Sequence, residues 1–140
     1  MAADAPIKVT VVTPERAVLE TNADSVVLPA ADGEVGVLPR HAPLVVRLGA
    51  GELRIVKKGV KTAYYVEGGF AQVRGDDVSV LATLVRPVDE LKADELQSQL
   101  AEIVARTPAT PAERRERTEK ICNLNAALRL TRRSKHQAAL

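Results

Sequence analysis

Gly33-Glu34-Val35-Gly36-Val37-Leu38-Pro39-Arg40-His41-Ala42-Pro43-Leu44 packs two glycines and two prolines into twelve residues. At that density glycine and proline fix the path of the backbone instead of filling a core, so the sequence predicts a constrained loop here. Strands flank it on both sides. Ile7, Val9 and Val11 alternate with Lys8 and Thr10, and Ser25-Val26-Val27-Leu28-Pro29 is a short apolar run stopped by proline. Leu44-Val46-Leu48, Leu53-Ile55 and Val78-Val80-Ala82 alternate again. Period two over four to eight residues marks strands with one face in a core. Arg47, Glu52, Arg54 and Lys57 fall on the outward positions. Turn chemistry separates the runs at Ala31-Asp32-Gly33, Gly49-Ala50-Gly51, Lys58-Gly59, Glu67-Gly68-Gly69 and Gly75-Asp76-Asp77. Short, closely spaced strands of this kind predict an antiparallel β-sandwich or flattened barrel over residues 1–86.

Beyond Pro87 the period changes. Leu91, Leu96, Leu100 and Ile103 line one side of a helix, with Lys92, Glu95, Gln99, Glu102 and Arg106 on the other. Residues 107–111 break it, and a second helix starts with clear punctuation. Thr110 is placed as N-cap, Pro111 as the first helical residue and Glu113 as the closing member of a capping box. Ile121, Leu124 and Leu128 form its apolar stripe. The fold class is therefore α+β, with a sandwich over 1–86 followed by a two-helix antiparallel hairpin over 87–140. Each stripe offers three or four aliphatic side chains, worth about 1.5–3 kcal/mol apiece when fully buried. Backbone ordering costs roughly 1–2 kcal/mol per residue, so such a hairpin is expected to be stable only when docked. The two helices carry opposite charge: five acids against Lys92 from 87 to 105, eight bases against three acids from 112 to 140.

Composition narrows the function. The net charge of +2 is too small to imply nucleic acid or an anionic membrane as partner. Tyr64, Tyr65 and Phe70 are the only aromatic residues, which leaves no platform for stacking bases or sugars. The single Cys122 excludes an internal disulfide and, on a helix beside Ile121 and Leu124, reads as a buried inert thiol. No apolar run approaches the roughly 20 residues that span a bilayer, and the N-terminus shows no signal sequence. No nucleophile–base pair, metal-ligand spacing or phosphate-binding glycine loop is present, so the chain is not expected to be an enzyme.

The order of short motifs carries a resemblance. Val11-Val12-Thr13-Pro14-Glu15-Arg16, then Ser25-Val26-Val27-Leu28-Pro29 with the 32–44 segment, then Leu53-Arg54-Ile55 open the series. Tyr65-Val66-Glu67-Gly68-Gly69-Phe70-Ala71-Gln72-Val73 and Val78-Ser79-Val80-Leu81-Ala82 complete it. Their succession, followed by a helical pair, resembles the bacterial-type epsilon subunit of the F-type ATP synthase over nearly the whole chain. The resemblance implies a non-catalytic rotor subunit of the central stalk, coupling proton translocation to ATP synthesis. Its partners would be the gamma subunit and the c-ring, with Glu34, Arg40 and His41 as rotor contacts. Arg40 stands where the family often holds glycine.

The hairpin would restrain ATP hydrolysis by extending toward the alpha and beta subunits, with Arg114, Arg115, Arg117, Arg129, Arg132 and Arg133 as the inhibitory contacts. Some members bind ATP through a motif like Ile/Leu-Asp-x-x-Arg-Ala. Val88-Asp89-Glu90-Leu91-Lys92-Ala93 is the best match, with Asp89 and Lys92 as weak ATP contacts and lysine replacing arginine. An ungapped alignment instead places the site at 91–96 and loses both residues. No other cofactor is implied. The implied location is peripheral, on the cytoplasmic face of the plasma (inner) membrane, without direct insertion. The competing reading is a free-standing β-sandwich adaptor whose basic helix binds an acidic protein.

Overall fold

The computed structural model describes the backbone of residues 6–139 and the side chains up to Arg133. The first five residues, bearing on the absence of a signal sequence, and the side chain of Lys135 lie outside it. The chain divides into two compact units, Met1–Arg86 and Pro87–Leu140.

The first unit is an eight-stranded sheet. Its strands are β1 (Ile7–Val12), β2 (Ala17–Ala23), β3 (Ser25–Ala30), β4 (Gly33–Val37), β5 (His41–Arg47), β6 (Gly51–Lys57), β7 (Val60–Gly75) and β8 (Asp77–Pro87). They hydrogen-bond in the order β2-β1-β8-β7-β6-β3-β4, with β5 added along β7. All registered pairs are antiparallel except β1 with β8, which run parallel from Lys8↔Asp77 to Val12↔Leu81. Val9, Val11, Val26, Leu28, Val37, Leu53, Val66, Val73, Val78 and Val80 belong to one buried cluster drawn from both ends of that strand order. A flat sheet cannot bury one shared core, so the sheet doubles over to form the two layers of a sandwich.

Two stretches depart from the reading of the sequence. The segment from 33 to 44 is not one loop: Gly33–Val37 pairs with β3 and His41–Arg47 with β7, leaving only 38–40 as connection. Its glycines and prolines sit within or beside edge pairings, where a residue that cannot donate is tolerated. Nor does Glu67-Gly68-Gly69 separate two strands. It lies inside the 16-residue β7, whose first half pairs with β6 and whose second half pairs with β5. Gly68 (φ +61°) and Gly69 (φ +99°) take left-handed conformations, and a Cβ on Gly69 would collide with the Leu81 carbonyl oxygen. Glycine here lets one strand change partners while β8 stays in close contact. The end strand β2, Ala-Val-Leu-Glu-Thr-Asn-Ala, carries no apolar alternation, and only Ala23 in it is fully buried.

The second unit begins with a 3₁₀ turn, Val88–Glu90, followed by α1 (Ala93–Ala105) and α2 (Pro111–Ala139). Leu91 precedes α1 and its N–H caps the 3₁₀ turn on Val88 O. The start of α2 is capped as its sequence dictates: Glu113 N–H donates to Thr110 Oγ1 at 3.1 Å. The Glu113 carboxylate accepts from Ala109 N–H at 2.7 Å, one residue earlier than an ideal capping box. Helix α1 packs against α2 yet buries no residue completely.

Candidate functional site

Around the β4–β5 edge, the three predicted rotor contacts do not converge. Glu34 lies on β4, opposite Pro29, with its carboxylate 2.5 Å from Arg54 Nη2. Arg54 also meets Glu52 at 3.0 Å. Burial alone pulls the Arg54 pKa down, but the hydrogen bonds and charges of Glu52 and Glu34 outweigh it and hold the guanidinium above its ordinary value. Glu34 is thus an exposed carboxylate already anchored from one side. Arg40 and His41 sit beyond the other end of β4. Arg40 is left-handed (φ +63°), and its backbone N–H donates to Asp76 Oδ1 at 2.9 Å. His41 lies opposite Gly75, and its Nδ1–H donates to the Ala42 carbonyl at 2.7 Å, fixing that tautomer in the neutral ring. The loop connecting β4 and β5 is therefore tied to the β7–β8 turn, while Glu34 is tied to β6.

A different surface emerges from the alternation of β5, β7 and β8. Ala71, Val73, Val80 and Ala82 point into the core, so Phe70 and Leu81 point out. They are 56% and 58% exposed, and Leu81 abuts the backbone of Gly69 beside Phe70. Arg47 pairs opposite Phe70, and Val45, 67% exposed, shares the outer face of β5 with it. The chain's only phenylalanine therefore stands outward on the sheet face, directly opposite Arg47. The sequence signal for this placement is that Phe70 falls out of phase with Ala71 and Val73.

On α2 the arginines separate by face. At 100° per residue, Arg114, Arg115, Arg129, Arg132 and Arg133 fall within an arc of about 100°, over a length of roughly 29 Å. All five are exposed. Cys122 falls on this same face and is exposed, not buried, because it lies one residue off the apolar stripe. Arg117 is on another side, in phase with Ile121, Leu124 and Leu128, and donates to the Ile103 and Val104 carbonyls at 3.3 and 3.1 Å. Asp89 is exposed on the 3₁₀ turn, and Lys92 precedes α1 with its ammonium 3.9 Å from Glu95. Among the described residues no cluster could hold a metal ion, and no helix is long and apolar enough to cross a membrane.

A β-sandwich with Phe70 and Leu81 outward, followed by a helical hairpin with an arginine-lined face, defines the class of protein by its fold. Residues 6–87 match the family described as ATP synthase, Delta/Epsilon chain, beta-sandwich domain. The ATP synthase epsilon chain of Rhodopirellula baltica is 41% identical over 126 residues, covering 90% of this chain and 98% of that one. The epsilon chain of Herpetosiphon aurantiacus is 39% identical over 124 residues, covering 89% and 88%. A chain in the mitochondrial ATP synthase structure of Euglena gracilis superposes with a TM-score of 0.77 at 26% identity, covering 91% of this chain and 84% of its own. A chain of the Tetrahymena thermophila mitochondrial enzyme shares the fold with a TM-score of 0.73 at 14% identity, covering 93% and 99%. This chain belongs to the ATP synthase epsilon chain family, whose members are non-catalytic subunits. The match spans sandwich and helices together, which sets aside the free-standing adaptor.

Proposed function

We propose that this chain is a rotor subunit of the central stalk that couples proton translocation through the c-ring to ATP synthesis, with its sandwich docked on the gamma subunit. The observation that carries the docking is the outward exposure of Phe70, opposite Arg47, and of Leu81 and Val45. An apolar centre rimmed by a cation is the composition of an interface core, where aromatic anchors dominate binding energy. Glu34, at one end of β4, and Arg40 and His41, beyond its other end, are separate rotor contacts to gamma or the c-ring. Glu34, positioned by Arg54, presents a fixed carboxylate for a basic side chain of the ring. The subunit is held at the cytoplasmic face of the plasma membrane through these partners.

The hairpin restrains hydrolysis by carrying its arginine face toward acidic surfaces of the alpha and beta subunits. Five exposed guanidiniums along one arc of α2 suit repeated carboxylate pairing. Regulatory ATP on the hairpin would fall to Asp89 and Lys92. Lys92 offers phosphate a point charge shared with Glu95 instead of arginine's fork.

The docking face is tested with Phe70→Asp and purified gamma subunit. Because Phe70 is outside the core, the variant should keep the wild-type thermal unfolding transition. Its affinity for gamma should fall by about 30-fold or more, as expected for a central hot spot. Undiminished affinity would place the gamma contact elsewhere.

A further inference from the structure

The five exposed arginines of α2 leave one guanidinium unaccounted for. Arg117 lies on the apolar stripe with Ile121, Leu124 and Leu128, not on the arginine face, and is half-buried. Its Nε and Nη2 donate to Ile103 O and Val104 O, two of the last carbonyls of α1. Ile103 O already accepts from the Arg106 N–H at 3.2 Å, but the end of a helix also carries partial negative charge, which a cation offsets. No basic residue occupies the last turn of α1 to do this. The neighbouring Arg106 has its Nη2 2.7 Å from the Glu102 carboxylate. The cation therefore comes from the other helix.

We propose that Arg117 is the clasp of the hairpin: it holds the end of α1 against α2, and its release controls how readily the two helices separate. The apolar seam is too thin to do this unaided. On the α1 side Leu96, Leu100 and Ile103 are only half-buried, and no residue of α1 is fully buried. Separation of the helices must break both Arg117 bonds, because they join the last turn of α1 to the second turn of α2. Thr110 and Glu113 keep the start of α2 capped through their own local bonds, so opening costs the clasp without costing the helix. Arg117 thereby leaves the set of arginines freely presented to a partner and becomes a positioning residue for the other five. The inference concerns the same hairpin as the inhibitory reading but does not require it.

The test measures the distance between the helices in the full-length free subunit. A spin label at Cys122 is paired with one at Ser98→Cys on α1, both exposed. Arg117→Gln should raise the long-distance fraction severalfold, and Arg117→Lys, which reaches one carbonyl without the fork, should fall between. Arg115→Gln removes the same charge from the exposed face and should match wild type. Helix content by circular dichroism should be equal in all four, separating opening from melting. Distance distributions unchanged by Arg117→Gln, or opened as far by Arg115→Gln, would overturn the clasp. A hairpin that opens as expected but leaves ATP hydrolysis unaffected in the assembled complex would overturn the inhibitory reading and leave the clasp standing.

Discussion

Single residues show where this chain tolerates strain and where it relies on burial. Arg40 takes a left-handed backbone at φ +63°, a conformation that costs a residue with a Cβ about 1–2 kcal/mol. Its N–H still donates to Asp76, and that bond survives any side-chain change. Arg40→Gly should therefore be more stable than Arg40→Ala, which loses the same side chain but keeps the strain, by about 1 kcal/mol, read as a higher urea midpoint at unchanged slope. Tyr65 presents the opposite case. It is 2% exposed, lies outside the main apolar cluster, and its hydroxyl donates to Glu67 at 2.7 Å. Burial, reinforced by the hydrogen bond and charge of Glu67, pushes the phenol well above its usual pKa. The folded state therefore binds this proton more tightly than the unfolded state. That contribution is fully present below the unfolded value of about 10 and is lost as pH rises above it, by about 1.4 kcal/mol per pH unit. Urea titrations from pH 8 to 11.5 should show Tyr65→Phe less stable by about 1–2 kcal/mol at pH 8, from the lost hydrogen bond. The gap should narrow above pH 10. A gap constant across that range would mean the phenol titrates alike in both states.

At the scale of elements, β7 is the decisive piece. One strand serves both sheet layers because Gly68 and Gly69 turn its backbone between β6 and β5, with the Leu81 carbonyl pressed against Gly69. Gly69→Ala meets backbone, which cannot move aside as a flexible side chain can, and a positive φ besides. The substitution should cost 4 kcal/mol or more, on the order of the most severe single changes, and leave little folded protein at 37 °C. Normal yield and an unshifted melting temperature would contradict the close approach. The same element marks the limit of reading the sequence. Period two was plain in β1, β6 and β8, since their alternate residues Ile7, Val9, Val11, Leu53, Ile55, Val78, Val80 and Ala82 face one core. It failed at Glu67-Gly68-Gly69 and over 33–44, where glycine and proline read as turns although the residues remain paired. Pairing partners, unlike propensity, are not encoded locally. The parallel β1–β8 pair is likewise a long-range fact. The hairpin was more legible because caps are local: Thr110, Pro111 and Glu113 announce α2 within four residues. The arginines were visible too, but their division into an exposed face and a clasp required the helix phase and the position of α1.

Across the whole molecule, the proposed roles fall on separate units, docking on Met1–Arg86 and regulation on Pro87–Leu140. The sandwich core is completed by strands ending at Pro87, and no residue of the hairpin belongs to that cluster. A chain stopped after Val88 therefore keeps every core residue of the docking unit while losing all the arginines proposed to meet the catalytic head. In a purified ATP synthase complex, that truncation should leave assembly intact and raise the ATPase rate severalfold. Truncation alone does not distinguish loss of the arginine face from loss of the helices. The companion variant changes Arg114, Arg115, Arg129, Arg132 and Arg133 to glutamine and keeps α1, α2 and the Arg117 clasp. If the arginine face carries the restraint, this variant should match the truncation and its effect should weaken as salt is raised in the wild type, as screening demands. A truncation that activates while the glutamine variant does not would assign the restraint to the bulk of the helices. Equal rates for all three proteins in intact complexes would leave the hairpin a structural appendage of a coupling subunit.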